Sequence, residues 1–273
     1  YKSLGSRYAV LGLPIIRGVV NFGESLYIGL KTLSYSSSFY EEEDYEPGKV
    51  EQFFTKIFGD KLESVLMGIT MVISVILALG IFMVLPFFLT NLMKGFLPSY
   101  SIRTLIEGII RVALFLIYIW LISKMEDIKR VFMYHGAEHK TINCLEHGED
   151  LTPENIKKYS RLHKRCGTSF LLIVMIVSIV VFMFIRVDSL VWKFVLRILL
   201  VPVVAGISYE FIRLAGRSDS KIVNTLSKPG LYLQYFTTRE PDEEMMEVAI
   251  KAVEGVFDWR EYLRAMHNGE LED

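Results

Sequence analysis

The charge-free run from Ser64 to Met93 places the strongest constraint on how this chain folds. About 20 consecutive apolar residues let a helix cross the hydrocarbon core of a bilayer, and this run is longer. Hydrophobic residues make up 52% of the chain, and its mean hydropathy is +0.36. The sequence therefore predicts an integral membrane protein and argues against a soluble enzyme domain.

Three further apolar segments follow, at about 102–123, 167–185 and about 189–209. Together with the first run they predict an all-α membrane protein, with a bundle of about four transmembrane helices within residues 64–209. This middle region includes a polar loop at 124–167, between the second and third apolar segments.

The two ends of the chain have different predicted structures. Residues 1–63 are expected to form an N-terminal amphipathic or interfacial region, with a helix after Pro14 and an exposed acidic loop at Ser34–Gly48 that contains the run Glu41–Asp44. Residues 210–273 are expected to form a cytoplasmic helical tail. In this tail the sequence predicts a loop at Gly216–Lys228, a turn at Pro229-Gly230 and a helix that opens at Pro241.

The distribution of charge predicts orientation and partners. Basic residues concentrate in the polar loop 124–167, so the positive-inside rule places this loop in the cytoplasm. Four spans then bring both termini to the cytoplasmic side. The 30 basic and 31 acidic residues nearly balance, and no nucleic-acid-binding motif is found. The expected partners are membrane lipid and, in addition, other membrane proteins or a second copy of the chain.

Charged residues also occur inside two of the apolar segments. Glu107 and Arg111 are four residues apart in the second segment, so they share one face of a helix. Lys193 and Arg197 lie near the start of the fourth segment. We expect Glu107 to form a buried cluster with Arg111 or Arg197 that joins the two helices. The alternative is that these side chains extend separately toward the membrane surface.

The polar stretch Tyr134–Lys140 stands out in an otherwise apolar chain. His135 and His139 are four residues apart, so on a helix their imidazoles share one face and suit a single metal ion. Glu138 completes the order His-x-x-Glu-His, in which the two histidines hold zinc and the glutamate acts as the base. Glu138 is therefore the candidate catalytic residue.

A second pattern with metal-binding side chains lies directly before the third apolar segment. His163 and Cys166 are three residues apart, on one side of a helical turn. With His135 and His139 they form a His₃Cys set suited to a divalent transition metal, of which zinc is the expected one. Two spare candidates lie nearby: Cys144 and His147.

The number of protein ligands decides what such a metal would do. Four ligands close a tetrahedral structural site, whereas three leave a position for water and permit hydrolysis. Without a metal, His135, Glu138 and His139 would instead form a polar network at the cytoplasmic end of the bundle. Three further residues are expected near enough to support the site: Glu210, Arg213 and Arg239.

The chain resembles the YqhQ-like family of bacterial multi-pass membrane proteins in three stretches: YHGAEHKTINCLEHGEDLTPENIKKYSRLHKRCGTSF (134–170), PGLYLQYFTTREPD (229–242) and LGLPIIRGVVNFGESLYIGLKTLSYSS (11–37). The resemblance implies the plasma membrane of a bacterial cell and a predicted metal-dependent enzyme. The family's two signatures map onto His135, Glu138, His139, His163, Arg165, Cys166, Gly167 and Thr168. Arg165 thereby joins the residues expected to support the site.

Two functions remain open from the sequence. The first is a metal-dependent membrane enzyme, in the manner of a hydrolase, acting on a membrane-protein segment or a lipid. The second is a scaffold or accessory factor for membrane-protein insertion or assembly, with a structural metal or polar cluster. A transporter is disfavoured, since the spans carry few charges and the chain has no internal repeat.

Overall fold

The structure is a computed structural model that describes residues 4, 8–37, 39, 62–97, 99–187, 189–217 and 220–270. All regular secondary structure in these residues is helical, which confirms the predicted class. The predicted acidic loop at Ser34–Gly48 is wrong at its start, because Ser34–Ser37 belong to a helix that continues to Ser37. The acidic run Glu41–Asp44 lies outside the described residues.

The α-helices follow one another with short connections. In chain order they are α1 (Ile16–Ser37), α2 (Leu62–Leu79), α3 (Leu85–Leu92), α4 (Tyr100–Ile122), α5 (Glu126–Glu146), α6 (Pro153–Lys157), α7 (Gly167–Met183), α8 (Leu190–Arg217), α9 (Lys221–Thr237), α10 (Glu243–Glu254) and α11 (Trp259–Asn268). A short 3₁₀ turn at Ala9–Gly12 precedes α1, and a π-helical turn at Gly80–Val84 joins α2 to α3.

Three helical stretches are long and apolar enough to cross a membrane: Val65–Leu92, Tyr100–Ile122 and Val191–Arg217. The third predicted span forms α7, which is apolar but only 17 residues long. At 1.5 Å per residue it measures about 26 Å, slightly less than the roughly 30 Å of a hydrocarbon core. Within the described residues, three of the four predicted segments are therefore long and apolar enough to be membrane spans.

The described residues fall into two compact units. Unit 1 comprises those within Tyr1–Leu114 and Ile179–Gly206, and unit 2 those within Phe115–Ser178 and Ile207–Asp273. In unit 1 the helix of residues 62–92 contains Pro86, which has no N–H for the carbonyl of Phe82 four residues earlier. The Nε of Arg111 donates to that carbonyl at 2.8 Å. A cation from α4 thus satisfies the backbone group that the proline leaves open.

Unit 2 has its own hydrophobic core, around which α10 packs against α5 and α6. Side-chain caps begin three of its helices: Thr152 accepts from Asn155 N at α6, and Asp242 and Asp258 do the same at α10 and α11. The core consists of Ala137, Cys144, Leu145, Leu151, Ile156, Met245, Met246, Trp259 and Leu263. This packing holds α5 in place, and α5 carries the predicted histidines.

The predicted loop and turn between Gly216 and Gly230 are wrong. α8 continues to Arg217, and α9 runs from Lys221 through Pro229 and Gly230 to Thr237. A Cβ added at Gly230 would approach the Cβ of Ser169 to 2.8 Å. The glycine therefore serves close packing against the start of α7, and this tertiary contact outweighs the local preference for a turn.

Candidate functional site

The two histidines of the His-x-x-Glu-His pattern lie one turn apart on α5, with ring centroids separated by 4.3 Å. Gly136 lies between them and lets the chain after α9 approach, because a Cβ there would overlap the carbonyl oxygen of Arg239. The backbone N–H of Arg239 donates to the carbonyl of Phe132 at 2.8 Å. The segment after α9 is thereby fixed along the histidine-bearing side of α5.

Both imidazoles are oriented by backbone carbonyls. Nδ1 of His135 lies 2.8 Å from the carbonyl oxygen of Thr237, and Nδ1 of His139 lies 2.7 Å from that of Arg161. A carbonyl only accepts, so each Nδ1 carries the proton that it donates. In the neutral ring this leaves the lone pair on Nε2, the usual arrangement of a metal-binding histidine.

Cys166 precedes α7 and brings its sulfur to the same point. Its Sγ lies 3.3 Å from Nε2 of His135, and the ligand atoms of His135, His139 and Cys166 all lie within 4.8 Å of one another. The Thr168 amide and hydroxyl contact the sulfur at 3.4 Å and 3.1 Å. Burial raises the pKa of the thiol, but hydrogen bonds from both imidazoles and from Thr168 outweigh it and lower the pKa to about 5.

The charge on this sulfur also affects its neighbour. Burial lowers the pKa of His135, whereas the hydrogen bond to Cys166 and the charge of the thiolate raise it. The net direction is upward. The contact between Cys166 and His135 therefore favours the charged form of each group when no metal competes for the two atoms.

Gln234 of α9 fastens the loop that carries Cys166. Its side chain is fully buried and bonds the backbone of His163 twice, accepting from N–H at 2.8 Å and donating to the carbonyl at 2.7 Å. It also contacts the hydroxyl of Ser169 at 2.7 Å. Sequence reasoning did not single out this residue. The one feature of the sequence that pointed to Gln234 was the high density of functional groups between Gln234 and Pro241.

The fourth predicted ligand, His163, lies outside the group of three. Its ring centroid is 5.8 Å from that of His139, and its Nε2 lies 3.2 Å from a carboxylate oxygen of Glu146. The hydrogen bond with His163 is the main reason why the pKa of Glu146 is lowered. The structure thus brings three of the four predicted ligands together and pairs the fourth with a carboxylate.

Glu138, the predicted base, is an exposed residue of α5 next to His139. Its carboxylate is not among the ligand atoms of the three-residue group, although its charge contributes to raising the pKa of His135.

The four residues expected to support the site have different surroundings. Arg165 pairs with Glu146, and its aliphatic stem packs on Gly216. Arg239 contributes its backbone to the contact with α5, and its buried Nε has no hydrogen-bond partner among the described residues. Glu210 and Arg213 are half-buried residues of α8. The spare candidates Cys144 and His147 stay outside the group, with Cys144 in the unit 2 core.

A cationic network that the sequence did not indicate adjoins His139. Lys140 is buried and reaches the carbonyl of Lys157 and the carboxylate of Glu240, each at 3.1 Å. Arg161 donates to the carbonyl of Thr238 and lies 3.5 Å from the second oxygen of Glu240. These contacts fasten the segment after α9 to the loop whose carbonyl orients His139.

The charged residues of the apolar segments meet in unit 1. Arg197 of α8 binds both carboxylate oxygens of Glu107, with Nη2 to Oε2 at 3.0 Å, and Arg111 Nη2 reaches Oε1 at 3.1 Å. Lys193 adds a longer contact of 3.8 Å. Glu107 and Arg197 are each 2% exposed, so the pair is shielded from solvent. The structure thus joins α4 and α8 through all three residues of the expected cluster.

Fold and site together define a helical protein with helices of membrane-spanning length and a His/His/Cys group in which His139 and Cys166 are buried and His135 is half-buried. Comparison with known proteins assigns the family. Residues 13–259 match the family described as "Protein of unknown function (DUF1385)", and the chain belongs to it.

One relative extends nearly the whole length of the chain. A protein of Bacillus subtilis (strain 168), described as "Uncharacterized protein YqhQ", is 37% identical over 241 residues, which cover 88% of this chain and 76% of that protein. The resemblance to the YqhQ-like family is therefore confirmed. No solved structure matches the chain.

Proposed function

We propose that this chain is a metal-dependent membrane enzyme of the hydrolase type, in which His135, His139 and Cys166 hold a divalent cation. The observation that carries the proposal is the convergence of three ligand atoms within 4.8 Å. Two imidazoles and a thiolate form a donor set that suits zinc. Ligand atoms around a tetrahedral zinc lie roughly 3.5 Å apart, and Sγ of Cys166 is already 3.3 Å from Nε2 of His135.

Three protein ligands are the catalytic pattern, because they leave one position for water or substrate. A metal bound there supplies Lewis-acid chemistry that activates water for hydrolysis. The protein's own residues supply the rest. The carbonyls of Thr237 and Arg161 orient the two imidazoles. Glu138 is exposed to solvent and serves as the group that accepts the proton of the attacking water.

Metal analysis of the purified full chain tests the ligand set. Wild type should carry about one zinc per chain, whereas Cys166→Ser and His139→Ala should lose it. Cys144→Ser is the matched control, because Cys144 is a buried cysteine outside the group. Absence of stoichiometric metal from wild type, or retention by both ligand variants, would overturn the proposal.

A scaffold or accessory role in membrane-protein assembly is the second candidate, and burial favours it. His139 is 3% exposed and Cys166 7%, so the same metal would serve to fasten the loop before α7 to α5. Glu138→Gln separates the two functions. A variant that keeps its metal and its fold but loses cellular function supports hydrolysis. Full function in that variant supports the structural role.

We further propose four spans, with α7 as the third and with both termini and the His/His/Cys group on the cytoplasmic side. Support comes from the positive charge of residues 124–167 and from the apolar length of α7. Reporter fusions test the topology in the proposed bacterial plasma membrane. Fusions after Glu146 and after Asn268 should both be cytoplasmic, and one after Leu97 should be exported. If the fusions after Glu146 and Asn268 lay on opposite sides of the membrane, an odd number of spans would separate these two residues.

A further inference from the structure

A polar cavity of about 160 Å³ lies within unit 1, beside the end of α3 and the first turn of α4. One water needs roughly 10–15 Å³, so the cavity has room for a small polyatomic group together with water. The lining includes the basic side chains of Lys94, Arg103 and Lys193, the amide of Asn91 and the carboxylate of Glu107. The cavity is a polar space beside α3 and α4, whose residues are mainly apolar.

The carboxylate on the lining is already neutralised. Arg197 binds both oxygens of Glu107, and Arg111 forms a further bond to one of them. Lys193 approaches the same carboxylate only at 3.8 Å. The single negative charge of Glu107 is therefore outnumbered by the positive charges around it. The basic side chains that it does not neutralise line the cavity.

Two of the lining cations have no anionic partner in the part of the chain that the structure describes. Lys94 follows α3 and Arg103 belongs to the first turn of α4, and neither forms an ion pair with a described carboxylate. Positive charges on one cavity wall repel one another, least for the exposed Lys94 and more for the half-buried Arg103 and Lys193. An anion in the cavity would relieve this repulsion.

Lys193 is positioned to face such an anion. Its side chain is only 14% exposed, and its ammonium lies 4.8 Å from the ring centre of Phe87 and 5.3 Å from that of Tyr100. The two rings restrict the ammonium to the cavity wall through cation–π contact. The N-terminus of α4 adds the positive end of a helix dipole at the same place.

We propose that this cavity binds a phosphate group, carried by a phospholipid headgroup or present as free phosphate, with Arg103, Lys94 and Lys193 as its cationic contacts. Arginine and lysine side chains are the usual partners of phosphate, since arginine donates in pairs and lysine acts as a point charge. Basic pockets between membrane helices bind lipid headgroups in this way. The site is independent of the metal proposed in unit 2.

Ligand-induced stabilisation of the full chain in detergent tests the proposal. The thermal midpoint is measured against dioleoylphosphatidylglycerol, against dioleoylglycerol, which has the same acyl chains without phosphate, and against inorganic phosphate at constant ionic strength. The variants are Arg103→Gln, Lys94→Gln and their combination, chosen because they break no ion pair in the described residues. Lys221→Gln, at an exposed lysine of α9, is the control.

We expect phosphatidylglycerol to raise the midpoint of wild type and of the control, and dioleoylglycerol to leave it unchanged. The double variant should bind about tenfold more weakly. Stabilisation by inorganic phosphate alone, with the same dependence on Arg103, would assign the site to free phosphate. The proposal is overturned if neither phosphate source stabilises wild type beyond dioleoylglycerol, or if the double variant keeps wild-type affinity.

Discussion

The two buried polar clusters of the molecule differ in how they are satisfied. In unit 1, Glu107 is bound by Arg111 and Arg197, so permanent charges of opposite sign meet in direct contact. In unit 2, His135 donates to a backbone carbonyl, and Cys166 is hydrogen-bonded to His135 and to a threonine hydroxyl. The bonds to the carbonyls occupy Nδ1 of each imidazole and leave Nε2 of His135 facing the sulfur of Cys166 at 3.3 Å.

This contrast indicates that the unit 1 cluster stabilises the fold, whereas the unit 2 group is suited to binding and chemistry. A carboxylate held by two guanidinium groups has no capacity left for a metal, and its removal leaves uncompensated charge. Imidazoles fixed through Nδ1 keep Nε2 available, so the unit 2 group can exchange a proton or accept a cation. We therefore expect substitutions in the first cluster to act mainly on folding, and those in the second mainly on binding.

The largest effect is expected for Glu107→Gln. The variant keeps the shape of the side chain but leaves Arg197, which is 2% exposed, without a counter-charge. Breaking a buried ion pair by removing one partner costs about 3–5 kcal/mol. Chemical unfolding in detergent, followed by circular dichroism, measures this change. Glu126→Gln, at an exposed glutamate of α5, is the control and should change little.

If Glu107→Gln were as stable as Glu126→Gln, the unit 1 cluster would not stabilise the fold, and the contrast with the unit 2 group would fail. It would mean that the three basic side chains reach water or lipid headgroups on their own. The metal content of Glu107→Gln should stay at the wild-type level, because none of the unit 1 charges belongs to the His/His/Cys group.

The second largest effect is expected for Gln234→Leu. Leucine fills a similar volume but leaves the N–H and carbonyl of His163 without their partner, which costs about 1–3 kcal/mol. Because Gln234 fastens the loop that carries Cys166, metal affinity should also fall by about 10–100-fold. A zinc titration and an unfolding curve measure the two effects. Asn268→Leu, at the exposed end of α11, is the control for replacing an amide by leucine.

Unchanged metal affinity in Gln234→Leu would show that the Gln234 side chain does not help to position the ligands. A fall in affinity without loss of stability would instead show that Gln234 acts on the loop alone. Either result would show whether metal binding requires the contact between α9 and the loop that carries Cys166.

The local parts of both clusters follow from the sequence, and the distant parts do not. Helical spacing alone suffices to put Arg111 beside Glu107 and His139 beside His135, because residues four apart share a helix face. The contact between His135 and Thr237 joins residues 102 positions apart. No periodicity predicts such a contact. The Pro229-Gly230 pair even favours the wrong local structure there, since its glycine serves packing.

His163 illustrates a second limit of sequence reasoning. Its spacing from Cys166 fits a metal-binding turn, but the competing partner, Glu146, lies at the end of α5, where no motif marks it. Helical class and the apolar segments are easier to predict, because they depend on composition over many residues. The choice among several polar partners depends on a few tertiary contacts.

The third prediction concerns the two cysteines of metal-free protein. Burial raises the pKa of Cys144 to about 11, whereas that of Cys166 is lowered to about 5. At pH 7 Cys166 is therefore a thiolate and Cys144 a thiol. The weaker nucleophilicity of a low-pKa thiolate offsets part of this difference, so we expect iodoacetamide to modify Cys166 at least about tenfold faster. Mass spectrometry of peptides measures both rates.

Ionisation of Cys166 also makes the stability of the fold depend on pH in a definite direction. The folded pKa of Cys166 lies below its ordinary value of 9.0, so ionisation stabilises the fold fully above pH 9, and this contribution is lost as pH falls toward about 5. Its alkylation rate should stay flat between about pH 6 and 9, whereas that of Cys144 rises with pH. Zinc should protect Cys166 alone, and Cys166→Ser should leave the Cys144 rate unchanged. Equal rates for both cysteines would contradict the assigned thiolate.

The smallest effect is expected for Glu146→Gln, and it decides the ligand count. Glu146 is one-third exposed on its side chain, so losing its contacts with His163 and Arg165 should cost about 0–1 kcal/mol. Its lowered pKa adds stability above its ordinary value of 4.5, which is lost as pH falls through the lower folded value. Wild type and variant should therefore converge in acid. Unfolding curves at neutral and acid pH measure this difference.

His163→Ala completes this test, because a three-ligand site should keep its metal when His163 is removed. Retention of about one zinc in both Glu146→Gln and His163→Ala would leave His135, His139 and Cys166 as the full protein set, with one position open for water. Loss of zinc in His163→Ala alone would mean that the histidine leaves Glu146 when metal binds. The site would then be a closed His₃Cys centre, and unit 2 would resemble unit 1 in serving stability.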